Sequence, residues 1–264
     1  MSLVLGLDSS TQSLSAVLLD ADQGVVVAED SVSFGDDLPQ YQQAHGYAEG
    51  GVRGEIHANP MMWVEALDLL LERMKSNGVD FSSVVAVSGS GQQHGSVYLR
   101  SCFGEKLSQL DSAQSLAEQI EGCLTRKSSP IWMDSSTSAE CAEIASAVGG
   151  NEVVCAKSGS IAVERFTGSQ IRKFSKTEPE AYAETGVIHL VSSYFASILA
   201  GRNVAIDRGD GAGMNLMNLA SGEWDEDLVD ATADGLKDKL PSVAPSNTKS
   251  GPISSYFVEK YGFS

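Results

Sequence analysis

Two apolar runs on either side of a short polar turn constrain the start of this fold more than anything else in the chain. Leu3-Val4-Leu5-Gly6-Leu7 reads as a strand that ends on a carboxylate, and Leu14-Ser15-Ala16-Val17-Leu18-Leu19 reads as a second strand coming straight back. The turn between them, Asp8-Ser9-Ser10-Thr11-Gln12, is small and rich in hydroxyls, so its backbone N–H groups can point at an anion without side chains in the way. Asp8, at the strand end, is placed to hold a Mg²⁺ directly or through water, because carboxylates are the usual protein ligands of that ion. The pattern is that of a phosphate-handling hairpin and not of a Walker loop, whose Gly-x-x-x-x-Gly-Lys-Ser/Thr spacing is absent. An ordinary hairpin turn also favours Asp and Ser, so these five residues alone leave both readings open.

The strand pattern continues. Asp22-Gln23-Gly24 makes a second turn and Val25 to Ala28 a third strand, so the chain opens with a three-strand antiparallel meander. Residues Phe34 to Ala58 form an irregular excursion carrying His45 and His57, both expected to be exposed. A helix follows, capped by Asn59, with Pro60 in its first turn and Trp63, Leu67, Leu70, Leu71 and Met74 at helical spacing, ending at Asn77-Gly78. Val84 to Ser88 is a buried strand running into Gly89-Ser90-Gly91-Gln92-Gln93-His94-Gly95, and Val97 to Leu99 is a strand beyond it. Strand, helix and strand in this order predict an α/β layer structure with a mixed sheet flanked by helices. Further helices are expected over Leu107 to Cys123, Ser135 to Val148, Thr167 to Lys176, Ile188 to Leu199 and Ile253 to Tyr261. Ile131 to Asp134 reads as a short strand, and a Gly-rich turn lies between Asp207 and Met214.

Composition removes several functions. The 264 residues carry 35 acidic and 18 basic side chains, a net charge of −17, which argues against nucleic acid or an anionic membrane as partner. Nucleotides stay possible where a metal ion and backbone dipoles neutralise their phosphates. Cys102, Cys123, Cys141 and Cys155 form no C-x-x-C pair and have no His at ligand spacing, so reduced thiols in a cytoplasmic protein are expected, without disulfide or zinc. The N-terminus runs directly into a strand, leaving no room for a signal peptide. The apolar stretch Ile188 to Ala200 is too short and too polar to span a bilayer, and His189 within it is expected to be a satisfied core residue.

Several polar residues are candidates for chemistry. The Gly89 to Gly95 loop follows a strand, where open α/β sheets place their ligands. Its glycines allow close approach, and Gln92, Gln93 and His94 suit a polyhydroxylated ligand; a tight turn around a structurally bonded His fits equally. Arg165 precedes a helix and is suited either to hydroxyls or to a surface ion pair. Asp134 is either a second-layer ligand or a helix cap. The alternating glycines at Gly209, Gly211 and Gly213 do not make a dinucleotide fingerprint; Asp207 and Asp210 read as turn residues, with Asp210 the one in-chain candidate for a general base. Ser-His-Asp hydrolysis is disfavoured, because no Gly-x-Ser-x-Gly elbow is present.

Taken together, Asp8-Ser9-Ser10-Thr11-Gln12, Ser88-Gly89-Ser90-Gly91-Gln92-Gln93-His94-Gly95, Trp132-Met133-Asp134-Ser135-Ser136-Thr137 and Glu164-Arg165-Phe166-Thr167-Gly168 resemble the FGGY carbohydrate kinases, most of all the eukaryotic xylulokinase branch. The resemblance continues through Leu190-Val191-Ser192-Ser193, Gly211-Ala212-Gly213-Met214-Asn215 and Ile253-Ser254-Ser255-Tyr256, and so covers nearly the whole chain. It implies an actin/hexokinase-like (ribonuclease-H-like) fold with two such domains facing a cleft, and ATP- and Mg²⁺-dependent phosphorylation of D-xylulose at its 5-hydroxyl. On the matching positions Asp8 would position the metal, Ser10, Thr11 and Gln12 would face the phosphates, and Gln93, His94, Arg165 and Asp134 would serve the sugar. Residues 1–264 would be the N-terminal domain, with residues 241–264 leading toward a second, absent domain. The family's catalytic aspartate sits in a Gly-Asp-Asn or Gly-Gly-Asp turn not found here, so the expectation is a lobe inactive without its C-terminal partner. A lobe acting on another pentulose or polyol such as ribulose, and a stand-alone sugar-binding module, are the alternatives.

Overall fold

The computed structural model describes residues 2–264. Strands β1 (Leu3–Ser9), β2 (Ser13–Asp20) and β3 (Val25–Ser33) form the expected meander. Alternation decides its facing: Leu3, Leu5 and Leu7 of β1 and Leu14, Ala16 and Leu18 of β2 are buried on one side. The excursion that follows holds a small ribbon, β4 (Ala48–Glu49) against β5 (Ile56–Ala58). His45 is exposed, but His57 is not: its Nδ1 lies 3.0 Å from Ser128 Oγ and its Nε2 3.4 Å from Asp134.

The helix Pro60–Ser76 begins as its cap dictates, with Asn59 Oδ1 accepting from Met61 N–H at 2.9 Å. Trp63, Leu67, Leu70, Leu71 and Met74 seal the inner face of the meander. The next strand, β6 (Val84–Gly91), runs parallel to β1, and the sheet order is β3-β2-β1-β6. Its expected burial is corrected. Having β1 as its one neighbour among the described residues, β6 is an edge strand, with Val85 66% exposed.

Beyond it, β7 (Ser96–Leu99) pairs not with this sheet but with a strand from far along the chain. After β8 (Ser129–Pro130), which joins β5, the segment Val187–Leu190 forms β9 antiparallel to β7. The helix expected from Ile188 therefore starts only at Val191, and His189 lies on the strand, fully buried between Ser193 and Asn203. The β7–β9 ribbon divides two cores. Val97, Leu99 and Val187 join the core around the meander, whereas Tyr98, Ile188 and Leu190 join a second core with Phe174, Ile171, Leu216 and Leu228. Opposite faces of one ribbon thus weld the two halves together.

Other local expectations shift. The helix expected over Leu107 to Cys123 is two short ones, Phe103–Ser108 and Leu116–Glu121. Ile131 to Asp134 is a turn closed by Asp134 N–H on the Ile131 carbonyl at 2.9 Å, and the Gly-rich stretch Arg208–Gly213 winds into a short helix capped by Asp207. Among the described residues no helix is long and apolar enough to cross a membrane.

Candidate functional site

The parallel register of β1 and β6 sets Asp8 opposite Ser90 and Ser9 opposite Gly91. Two motifs that are 82 residues apart thereby share one sheet end: Ser90 Oγ donates to Asp8 Oδ1 at 2.6 Å, and Gln92 N–H donates to the Ser9 carbonyl at 2.7 Å. Asp8 is exposed. Among the described residues no three His, Cys, Asp or Glu side chains are grouped as a metal cage. One open carboxylate fits Mg²⁺, which keeps several of its waters, and does not fit a metal needing a full protein shell.

The turn after Asp8 is rigid. Ser10 donates to the Ser13 carbonyl through both its N–H, at 2.9 Å, and its hydroxyl, at 3.1 Å. Thr11 Oγ1 accepts from Trp132 Nε1 at 2.9 Å, and Gly46, at φ 79°, presses against the Thr11 carbonyl where any Cβ would collide. Among the described residues the N–H groups of Thr11 and Gln12 meet no backbone acceptor, and the Gln12 side chain is exposed. Two free donors on a held turn can receive phosphate oxygens.

The loop from β6 to β7 carries the most constrained residue of the site. Gly95 N–H bonds to the Gln93 carbonyl at 2.8 Å, two residues back, and His94 between them has φ 65°. That is a γ-turn of the strained kind, which costs on the order of 1–3 kcal/mol in a non-glycine residue. The His94 ring packs against Phe166 with centroids 4.7 Å apart, its Nδ1 lies 2.9 Å from the Gly213 carbonyl, and its own carbonyl accepts from Thr167 Oγ1 at 3.2 Å. A carbonyl only accepts, so Nδ1 carries the proton. Burial pushes the imidazole pKa down and the Arg165 charge adds to this, against the opposing bond to Gly213. The ring is thus neutral at pH 7, and its Nε2 has no protein partner among the described residues.

Arg165 lies exposed, its guanidinium 5.7 Å from the Phe166 ring centroid. The surface ion pair that would account for it is absent among the described residues. Gln93 is also exposed. Asp8, the 10–12 turn, Gln93, His94 and Arg165 thus gather around the carboxyl ends of β1 and β6.

Asp134 does not join them as an open group. It is 1% exposed. Oδ1 accepts from Ser136 N–H at 2.9 Å, Ser136 Oγ at 2.6 Å and Gln170 Nε2 at 2.8 Å, while Oδ2 accepts from Ile56 N–H at 3.0 Å. Burial works against its charge, but His57, Ser136 and Gln170 outweigh it and hold the carboxyl well below the ordinary range. It is a cross-link between segments, with no lone pair left for a sugar. Asp210 is half-buried, and Ser192 Oγ donates to its Oδ2. Burial pushes its pKa up; the bond from Ser192 opposes this and neighbouring Asp207 adds to it. Asp207 and Asp210 wall a groove of about 1200 Å³ that runs along β6, and His94 and Arg165 do not line it.

Ser90, Phe166, Thr167, Ser192 and Gly213 were not legible as site residues. Each acts through a partner elsewhere in the sequence; the strings that carry the resemblance contain all five, but none of them shows what the residue bonds to.

Residues 125–264 match the FGGY family of carbohydrate kinases, N-terminal domain. The chain is 49% identical over 263 residues to Xylulose kinase 2 of Arabidopsis thaliana, covering 99% of this chain and 47% of that protein. It is 46% identical over 259 residues to the xylulose kinase of Rattus norvegicus, covering 98% of this chain and 48% of that one. The chain spans about half the length of the curated relatives it matches. Among solved structures, the xylulose kinase from Rhodospirillum rubrum superposes with a TM-score of 0.77 at 20% identity, over 99% of this chain and 46% of that one. The gluconate kinase from Lactobacillus acidophilus gives 0.75 at 20% identity, over 100% and 46%. Likeness at that identity speaks for the fold alone, which is actin/hexokinase-like. With the family match extending over more than half of its residues, the chain belongs to the FGGY family of carbohydrate kinases.

Proposed function

We propose that residues 1–264 form the N-terminal lobe of an ATP-dependent sugar kinase, with D-xylulose as its first candidate substrate. The observation that carries this is the pairing of two kinds of open group at one sheet end. A neutral His94, its ring under the influence of the Arg165 charge, follows β6, and Asp8 with the N–H groups of Thr11 and Gln12 follows β1, in the register that sets Asp8 opposite Ser90. Hydroxyls suit the first pair and phosphate with its cation suits the second.

When bound, Mg·ATP supplies the electrophilic phosphoryl group. This chain's residues do the positioning on which phosphoryl transfer depends. Asp8, oriented by Ser90, would hold the cation, and the Ser10–Gln12 turn would receive phosphate oxygens. His94 accepts a hydrogen bond from a sugar hydroxyl, Arg165 donates to sugar oxygens, and Gln93 offers both. Asp210 stays an in-chain candidate for the base. The identity to xylulose kinases favours D-xylulose over ribulose or another polyol, and over a sugar-binding module with no transferase role.

Calorimetric titration of the 264-residue chain with D-xylulose, D-ribulose and glycerol tests the sugar half. Saturable heat for D-xylulose, lost in His94→Ala and Arg165→Ala, is expected. Binding that survives both substitutions would overturn the assignment of these residues, and a preference for D-ribulose would overturn the substrate. Phosphorylation by the longer protein carrying this chain, abolished in Asp8→Ala, separates the kinase from the binding module.

A further inference from the structure

Gly213 belongs to the short helix Arg208–Gly213, 119 residues from His94 in sequence, yet among the described residues its carbonyl is the one polar group that Nδ1 of His94 meets. The approach is close on all sides. A Cβ built on Gly213 would stand 3.1 Å from His94 Cε1 and 3.2 Å from Nδ1, inside the 3.5–4.0 Å at which carbon atoms normally rest. Phe166 also packs on the ring, with centroids 4.7 Å apart, so a Cβ on Gly213 would have to shift a ring that is already in contact. The strained γ-turn at φ 65° holds its backbone.

We propose that Gly213 is the positioning residue that makes His94 a hydrogen-bond acceptor: its carbonyl keeps the proton on Nδ1, and its missing side chain lets the ring seat there with Nε2 open. This rests on the reading of His94 as a sugar ligand and deepens it by stating the polarity of the contact. The ligand atom at Nε2 must be a hydroxyl that donates its proton. An ether, a carbonyl or a deoxy carbon at that position would not be held. An imidazolium donates from both nitrogens, so it would meet that hydroxyl only by donating to its oxygen, with the polarity of the contact reversed. Arg165 is the charged group acting on the ring; Phe166, Thr167 and the Gly213 peptide contribute no titrating group.

The test reads the tautomer and the affinity separately. In ¹⁵N-histidine-labelled chain, the His94 ring nitrogens should report a proton on Nδ1 and a bare Nε2 near pH 7. Gly213→Ala should convert this to a mixture of tautomers and raise the D-xylulose dissociation constant about tenfold, with the circular dichroism spectrum unchanged. In the wild type, affinity should change only as pH drops below 6.5, the ordinary imidazole value, because burial moves the second protonation of His94 lower still. A proton on Nε2 in the wild type, or Gly213→Ala with an unchanged tautomer and unchanged affinity, overturns the proposal. Should Gly213→Ala fail to fold, the wild-type tautomer decides it: a proton on Nε2 overturns the proposal. Failure of D-xylulose to bind this chain would remove the stand-alone binding module and show that the sugar site needs both lobes, while the nitrogen spectrum still tests what Gly213 does to the ring.

Discussion

Replacing Asp134 by Asn separates a sugar ligand from a structural cross-link. In the wild type Oδ1 takes three donors and Oδ2 takes the Ile56 N–H, so β5, the 134–137 loop and the helix Thr167–Thr177 converge on one carboxylate. An amide offers one acceptor and one donor. With its oxygen on the Ser136 and Gln170 side, its NH₂ points at the Ile56 N–H, and two donors face each other. A hydrogen bond to a charged group is worth about 1.5–3 kcal/mol, and an unsatisfied buried donor costs about 1–3. The sum is a loss of about 3 kcal/mol, or about 6–12 °C in melting temperature at 2–4 °C per kcal/mol for a chain of this size. Asp134→Ala strips every acceptor and should cost about 4–5 kcal/mol.

Urea unfolding at pH 7, paired with D-xylulose calorimetry on the folded fraction, is the assay. A stability loss below about 1 kcal/mol together with abolished sugar binding would refute the cross-link and restore Asp134 as a ligand. Acid supplies an independent check. The folded carboxyl is held below its usual value of 3.8. Its contribution is therefore fully present above that value and is lost as pH falls through the lower, folded one. Wild-type stability should fall more steeply in acid than that of Asp134→Asn.

Both amide atoms of Gln92 are buried without a partner, so Gln92→Leu should raise stability by about 1 kcal/mol, read as a higher urea midpoint; a fall would mean the amide is engaged. Gly46→Ala puts a Cβ 1.9 Å from the Thr11 carbonyl oxygen at φ 79°. It should cost more than about 2 kcal/mol in thermal melts, since the left-handed backbone alone accounts for 1–2, and an unchanged melt would show the 10–12 turn to be soft. Asp210 has a raised folded pKa, so wild-type stability should rise as pH falls through the window above 3.8, and Asp210→Asn should flatten that rise. In the same variant, phosphorylation by a protein that carries this lobe decides the role of Asp210: unchanged turnover removes it from the mechanism, and a loss of about a hundredfold or more identifies it as the base.

What was legible in the sequence is what neighbours in sequence dictate. The meander follows from alternation in Leu3 to Leu7 and Leu14 to Leu19, and the helix Pro60–Ser76 from Asn59, Pro60 and the spacing of Trp63 to Met74. Where a long-range pairing competes with local pattern, local pattern loses. Ile188 to Ala200 has the composition of one buried helix, yet its first residues pair with β7 as a strand. Val84 to Ser88 is apolar enough for a central strand, yet it lies at an edge because no described strand pairs beyond it.

The site divides along the same line. Asp8, the hydroxyl-rich turn and His94 stand out because their residue types are unusual where they occur, but their roles depend on distant partners. A slip of one residue between β1 and β6 would turn Ser90 to the opposite face and leave Asp8 unoriented. Asp134 and His94 carry the point further. Both end up mostly buried beside polar groups, and both invite the same reading as ligands. Four donors from three segments consume the lone pairs of Asp134, while one carbonyl from Gly213 consumes only the proton of His94 and leaves Nε2 open. The difference between a structural residue and a binding one therefore lies in how many valences the surrounding chain leaves unfilled, and that is a property of Ile56, Ser136, Gln170 and Gly213 more than of the residues they surround.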